Sequence, residues 1–162
     1  MTTSLWEIPV VTADGETTTL NEHKGKVVLI VNVASRCGLA PQYAELEALQ
    51  KKYADRGFTV LGFPSNQFFQ ELSTNDAIAQ YCSTTWGVTF PIYDKVKVNG
   101  KSRSPLYAEL VKAKDERGMA GNIRWNFEKF LVTPSGKVLR FRPTTKPSDP
   151  AIVEAIEANL PR

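Results

Sequence analysis

At 162 residues, 42% of them hydrophobic and 16 aromatic, the chain fits one domain with one core, and no apolar run approaches the roughly 18 residues of a membrane span. Twenty Lys and Arg against 17 Asp and Glu leave a formal charge of +3 with both signs interspersed, so neither nucleic acid nor membrane insertion is expected. Two cysteines 45 positions apart and a single histidine fall short of the about four ligands a zinc site uses, and no metal or cofactor is expected.

Met1 to Asp14 mixes Thr, Ser, Glu and Asp with single apolar residues and lacks the basic start and apolar centre of a secretory signal, which predicts a cytoplasmic protein. Asp14-Gly15 suits a hairpin turn. Lys26 to Ala34 (KVVLIVNVA) is a nearly continuous β-branched run, broken in polarity by Asn32, and predicts a central strand buried on both faces. After a break from Ser35 to Pro41, Tyr43, Leu46, Leu49, Gln50 and Tyr53 recur at helical spacing up to Gly57. Phe58 to Pro64 supplies a second buried strand, so the three elements form a right-handed βαβ unit.

A polar and aromatic loop, SNQFFQELS, leads to a predicted helix over Thr74–Thr85, capped by Ser73 or Thr74, with Ala77, Ile78, Tyr81 and Cys82 on its apolar face. Its last turn, Cys82-Ser83-Thr84-Thr85, consists of poor helix formers and should be weakly held. Pro91–Val98 reads as a strand, Ser104–Lys114 as a helix and Gly118–Asn126 as a loop. Phe130–Val132 and Val138–Phe141 flank the turn Thr133-Pro134-Ser135-Gly136, and a closing helix starts at Ser148, with Pro150 in its first turn and Ile152, Val153, Ile156 and Leu160 inward. The sum is a single α/β domain over 1–162, a mixed sheet with helices on both faces; the element order is that of the thioredoxin fold, with flavodoxin-like folds left open by order alone.

Asn99-Gly100-Lys101-Ser102 ends like a phosphate-binding loop, but Lys95 stands where its first glycine belongs. Cys37 has more promise. It sits between Arg36 and Gly38, where a buried strand ends and a helix is about to begin, the edge at which open α/β sheets bind ligands and where backbone N–H groups favour a thiolate. The alternative is a small buried hydrophobe. A Cys-x-x-Cys pair is absent, because Ala40 stands three residues on; a partner thiol would be remote, and Cys82 is either that thiol or a packed core residue.

Three segments, Val31-Asn32-Val33-Ala34-Ser35-Arg36-Cys37-Gly38, Gly62-Phe63-Pro64-Ser65-Asn66-Gln67-Phe68 and Trp125-Asn126-Phe127-Glu128-Lys129-Phe130-Leu131-Val132, resemble the signature segments of the glutathione peroxidase family, in order and across nearly the whole chain. The resemblance implies a thioredoxin fold, hydroperoxide substrates, and Cys37 as the peroxidatic residue with Gln70, Trp125 and Asn126 completing a tetrad. The family's glutamine segment is one residue shorter here and lacks its Pro-Gly; spacing to Cys82 favours Gln70, with Gln67 the alternative. The chemistry suits these types: Trp, Asn and Gln offer N–H donors to a thiolate and a leaving oxyanion while staying neutral. The likeness is to the two-cysteine branch, which implies that Cys82 resolves a Cys37 sulfenic acid to a Cys37–Cys82 disulfide and that thioredoxin, or else a mycothiol- or glutaredoxin-linked partner, reduces it. Ser65 stands where many members carry a third cysteine, and the loop Asp115–Ile123 lacks the insertion of tetrameric members, so a monomer is expected. A peroxide sensor using the same residues is the alternative function, and a non-catalytic thioredoxin-fold module a third. Lys95, Lys97, Lys101, Arg103, Arg124, Arg140 and Arg142 form either a basic rim or an ordinary solvated surface.

Overall fold

The computed structural model describes residues 4–161, so the first three residues of the N-terminal segment read above for targeting lie outside it. A small hairpin comes first, β1 (Val10–Val11) against β2 (Thr17–Thr18), turning near Gly15 at φ +89°. The central strand is β3 (Val27–Val33), buried at every residue. Through α1 (Gln42–Tyr53) the chain returns to β4 (Phe58–Pro64), which pairs with β3 in parallel from Val27 opposite Phe58 to Val33 opposite Pro64. On the other side of β3 lies β5 (Lys129–Val132), antiparallel, followed by β6 (Val138–Phe141) through the expected turn, where Gly136 takes φ +89°. The sheet order β4-β3-β5-β6 is that of the thioredoxin fold.

Alternation along β3 divides the core in two. Val27, Leu29, Val31 and Val33 face α1, α2 (Asn75–Tyr81) and α4 (Pro150–Asn159), while Val28 and Ile30 face α3 (Pro105–Leu110) and the N-terminal segment with Leu5, Trp6 and Ile8. Each such side chain taken wholly out of water contributes about 1.5–3 kcal/mol. No helix among the described residues is long and apolar enough to cross a membrane.

Four expectations need correction. The α-helical part of Thr74–Thr85 stops at Tyr81, and Cys82–Trp86 continues as a π-helical turn closed by Gly87 in the left-handed region; the cap is Thr74, whose hydroxyl accepts from the Ala77 amide. Pro91–Val98 is no strand: Ile92 and Tyr93 make isolated bridges, and Gly62, Val11 and Pro64 take scattered bonds from it. The helix expected over Ser104–Lys114 ends at Leu110, because the fully buried Arg140 guanidinium captures the carbonyls of Val111, Ala113, Gly121 and Asn122. Arg140, paired with Glu128 inside the protein, is therefore no part of a basic rim. His23, the single histidine, is buried, and burial lowers its pKa.

Lys129 is buried in β5 and donates to the carbonyls of Pro143 at 2.8 Å and Thr145 at 2.6 Å, while Gln42 also donates to Pro143. Burial pulls its pKa down to about 7, against the opposing pull of Glu45 and Glu128. From there to the ordinary value of about 10.4 the unfolded chain carries a proton that the folded chain does not, so unfolding takes up a proton and stability rises with pH across that window. The excess stability of the wild type over Lys129→Met should grow by up to about 1.4 kcal/mol per pH unit there; urea midpoints at several pH values between these limits measure it, and a constant difference would contradict a neutral Lys129.

Candidate active site

Cys37 lies in a run of turns between β3 and α1, and it is buried. The helix begins at Gln42, behind Pro41, after the break expected from Ser35 to Pro41. What reaches the sulfur is a local amide instead: Leu39 N donates to Sγ at 3.3 Å, and Ala40 N bonds the Cys37 carbonyl, curling the loop around the thiol.

The shortened loop after β4 is stitched to this turn. Arg36 N donates to the Gln70 carbonyl at 2.7 Å, and Ser35 N donates to Glu71 Oε1 at 2.9 Å. Within the loop, Asn66 holds Phe69 N by its carbonyl and Glu71 N by its side chain. Phe69 has φ +60°, a left-handed conformation that costs a residue with a Cβ about 1–2 kcal/mol, and its ring is 87% exposed. Neither strain nor exposure is recovered by packing.

The two glutamines are sharply distinguished. Gln67 is occupied: its Oε1 accepts from Val98 N and Asn99 N, and its Nε2 donates to the Asn99 carbonyl. Gln70 instead places Oε1 3.2 Å from Asn126 Nδ2. Asn126 is fully buried, and its Oδ1 has no hydrogen-bond partner among the described residues. Trp125, 38% exposed, tilts over Phe68 with ring centroids 5.2 Å apart. Gln70 thus joins Asn126 to the turn of Cys37, with Trp125 packed on Phe68 beside Asn126.

Asn32 makes that meeting possible, and the sequence reading used it merely as a break in an apolar run. From inside β3 its Nδ2 donates to the Trp125 carbonyl at 3.1 Å, its Oδ1 accepts from Glu128 N at 3.0 Å, and its backbone carbonyl accepts from Phe127 N at 2.6 Å. Phe127 takes φ +67°, and this kink folds Asn126 inward. A lone amide within a strand buried on both faces was the signal, since such a group must find partners.

Cys82 is a free, buried thiol in the π-helical turn, and burial pushes its pKa up to about 11. Its surroundings are aromatic: Tyr43 stacks on Trp86 at 6.5 Å and meets Tyr81 edge-on at 6.4 Å, while Trp86 Nε1 donates to the Tyr81 hydroxyl. Tyr43 and Glu71, both buried near Cys82, were missed as members of this neighbourhood.

Comparison with known proteins agrees with the geometry. Residues 5–111 match the family described as glutathione peroxidase. The chain is 49% identical over 168 residues to the Escherichia coli protein named thioredoxin/glutathione peroxidase BtuE, covering 91% of this chain and 92% of that one. It is 50% identical over 159 residues to the Saccharomyces cerevisiae glutathione peroxidase-like peroxiredoxin HYR1, covering 96% and 95%. A crystal structure of Trgpx in apo form superposes with a TM-score of 0.74 at 40% identity, over 99% of this chain and all of that one.

Gln67→Ala removes three hydrogen bonds to partly buried backbone and should lower stability by about 2–4 kcal/mol, whereas Gln70→Ala removes one and should cost about 1 kcal/mol. Denaturant titration of the two variants checks the contrast; equal losses would mean that the Gln67 contacts do not hold the loop at Val98 and Asn99.

Proposed function

The chain belongs to the glutathione peroxidase family, and from that premise we propose that it reduces hydrogen peroxide and organic hydroperoxides through Cys37, with Cys82 as resolving thiol and a thioredoxin-like protein as reductant. The observation that carries the reading is that Gln70 ties the turn of Cys37, through its carbonyl to Arg36 N, to Asn126, through its side chain, beside an exposed Trp125. Cys37 attacks the terminal peroxide oxygen; the O–O bond breaks, Cys37 becomes a sulfenic acid, and water or an alcohol leaves. Asn126 and Gln70 supply neutral amide donors, and Trp125 an indole N–H, to the developing oxyanion. The Phe68–Trp125 pair suits the apolar part of an organic hydroperoxide.

Cys82 then condenses with the sulfenic acid. Both thiols are free and buried, and in this reading the turn at Cys82 moves to bring them together. That turn is well chosen for movement: a π-helical stretch is an intrinsically marginal structure, and Ser83, Thr84 and Thr85 are exposed poor helix formers. In the chain-entropy model, closing a loop of this length is worth about 4 kcal/mol, comparable with the packing lost from one turn. The disulfide is returned to thiols by exchange with a dithiol protein, a reductant in keeping with the name of the Escherichia coli relative. The same reading makes the enzyme a cytoplasmic monomer, its Asp115–Ile123 loop held to its own sheet by Arg140 and Arg142.

NADPH consumption with a hydroperoxide, coupled either to thioredoxin and its reductase or to glutathione and its reductase, tests the proposal. Turnover should be supported by the thioredoxin pair; faster turnover with glutathione would overturn the choice of reductant. Cys37→Ser should lose turnover at least a thousandfold, a tenth retained being enough to sink the assignment. Cys82→Ser should consume one peroxide per molecule and then stop, and Gln70→Ala and Asn126→Ala should slow the first step about ten- to a thousandfold. Amide exchange should show Ala77 to Gly87 protected in the reduced protein and opened from Cys82 onward in the disulfide form, and equal protection in the two would exclude the unwinding.

A further inference from the structure

The turn Asn99-Gly100-Lys101-Ser102 ends like a phosphate loop, yet it binds protein. Gly100 takes φ +84° at its tip, and Arg103 N closes it on the Gly100 carbonyl. The half-buried Asn99 spends its side chain on one residue of another segment: Oδ1 accepts from Ile123 N at 2.8 Å, and Nδ2 donates to the Ile123 carbonyl at 2.7 Å. An amide that meets both backbone groups of one residue acts as a neighbouring strand would, and only Asn and Gln carry a neutral donor and acceptor side by side. Flipping it would set N–H against N–H and oxygen against oxygen, so its orientation is fixed.

Asn99 is itself seated by Gln67. Gln67 Oε1 accepts from Asn99 N at 2.8 Å and from Val98 N, and Gln67 Nε2 donates to the Asn99 carbonyl at 3.0 Å. The residue after Gln67 is Phe68, whose ring lies on Trp125, and Trp125 stands two residues beyond Ile123. These links close a circuit. It runs from Gln67 to Asn99, from Asn99 to Ile123, along the chain to Trp125, across the rings to Phe68 and back to Gln67.

Trp125 is thereby gripped from two sides. Asn32 holds its carbonyl and the Phe127 amide from within the sheet, and Asn99 holds the backbone two residues before it. The ring itself is 38% exposed, so packing alone fixes its direction weakly. The Ile123 side chain is buried with α3 and Phe130, which secures its place in the core but not the direction of its peptide groups.

We propose that Asn99 is a positioning residue for Trp125, setting through Ile123 the direction in which the indole N–H is offered to the oxyanion that develops at the peroxide. The assignment rests on the reading of Trp125 as a donor in the Cys37 step. A donor aids that step only when aimed at the position the charge will occupy, and a displacement of about 1 Å costs on the order of a hundredfold in rate. Without the Asn99 pair, the stretch from Ile123 to Trp125 is tied by the Arg140 contact to the Asn122 carbonyl at one end and by Asn32 at the other, and its peptides can turn between them.

The test is a double-mutant cycle on the first step alone. Peroxide consumption by excess reduced protein gives the second-order rate constant for wild type, Asn99→Ala, Trp125→Phe and the double variant. Asn99→Ala should be about ten- to a hundredfold slower than wild type, and Trp125→Phe, which keeps a ring for Phe68 but loses the N–H, should be slowed at least as much. In the Trp125→Phe background Asn99→Ala should have less than about a twofold further effect, because the group it aims is gone. Losses that multiply show Asn99 acting by another route and overturn the proposal, as does an Asn99→Ala rate equal to that of the wild type. Should Asn99→Ala fail to fold, Asn99→Asp replaces it in both backgrounds: it keeps the acceptor for Ile123 N and sets an oxygen against the Ile123 carbonyl, and the same pattern of slowing supports the clip while an unchanged rate overturns it. A Trp125→Phe rate equal to that of the wild type overturns the donor role of Trp125 and the clip with it, whereas a slow Trp125→Phe beside a fast Asn99→Ala overturns the clip alone.

Discussion

One buried amide organises the reactive end of this molecule. Asn32 stands in the middle strand, surrounded on both faces by Val, Leu and Ile, where a polar side chain without partners would cost several kcal/mol. It escapes that cost by binding the segment entering β5, with the Trp125 carbonyl and the Glu128 amide on its side chain and the Phe127 amide on its backbone. Because β3 also leads directly into the Cys37 turn, one strand fixes both that thiol and the segment that carries Trp125 and Asn126. The left-handed Phe127 is the local strain that this clamp sustains.

A second set of ties fastens the glutamine loop to the same turn, and within that loop Phe69 takes the left-handed conformation. Asn66 closes the turn, Glu71 binds back to Ser35, and Gln70 arrives at Asn126. Gln67, the glutamine of the Asn66-Gln67-Phe68 run, is turned away to anchor the backbone at Val98 and Asn99.

What could be read in the sequence follows from the range of the interactions involved. The strand at Val27–Val33, the turn at Thr133–Gly136 and the cap at Thr74 are local patterns, and each stands where its residues predicted it. The strand expected at Pro91–Val98 failed because it needed a long neighbour: β4 is bonded along one edge by β3, and the segment touches its other edge only at scattered points. The end of α3 was equally unreadable, since it is set by Arg140 from 27 to 29 positions away. In the site, Cys37 was visible as a break after a strand, but the partners of Asn32 lie 93 and 96 positions on, and no local pattern carries that distance.

The two cysteines show how one fold supports opposite demands. In the proposed reaction the attacking sulfur must be met by donors, and Cys37 sits in an irregular turn with a backbone amide on its sulfur. The proposed resolving thiol must stay unreactive until the first has been oxidised, and Cys82 is buried among Tyr43, Tyr81 and Trp86 with its ionisation pushed far above neutrality. Burial that silences the thiol also makes its release costly, so it is seated in a turn whose own hydrogen bonding is marginal, where little secondary structure is lost on opening. Separate control of the two sulfurs therefore follows from local structure: a donor-rich turn for one, and a weakly held, dry turn for the other.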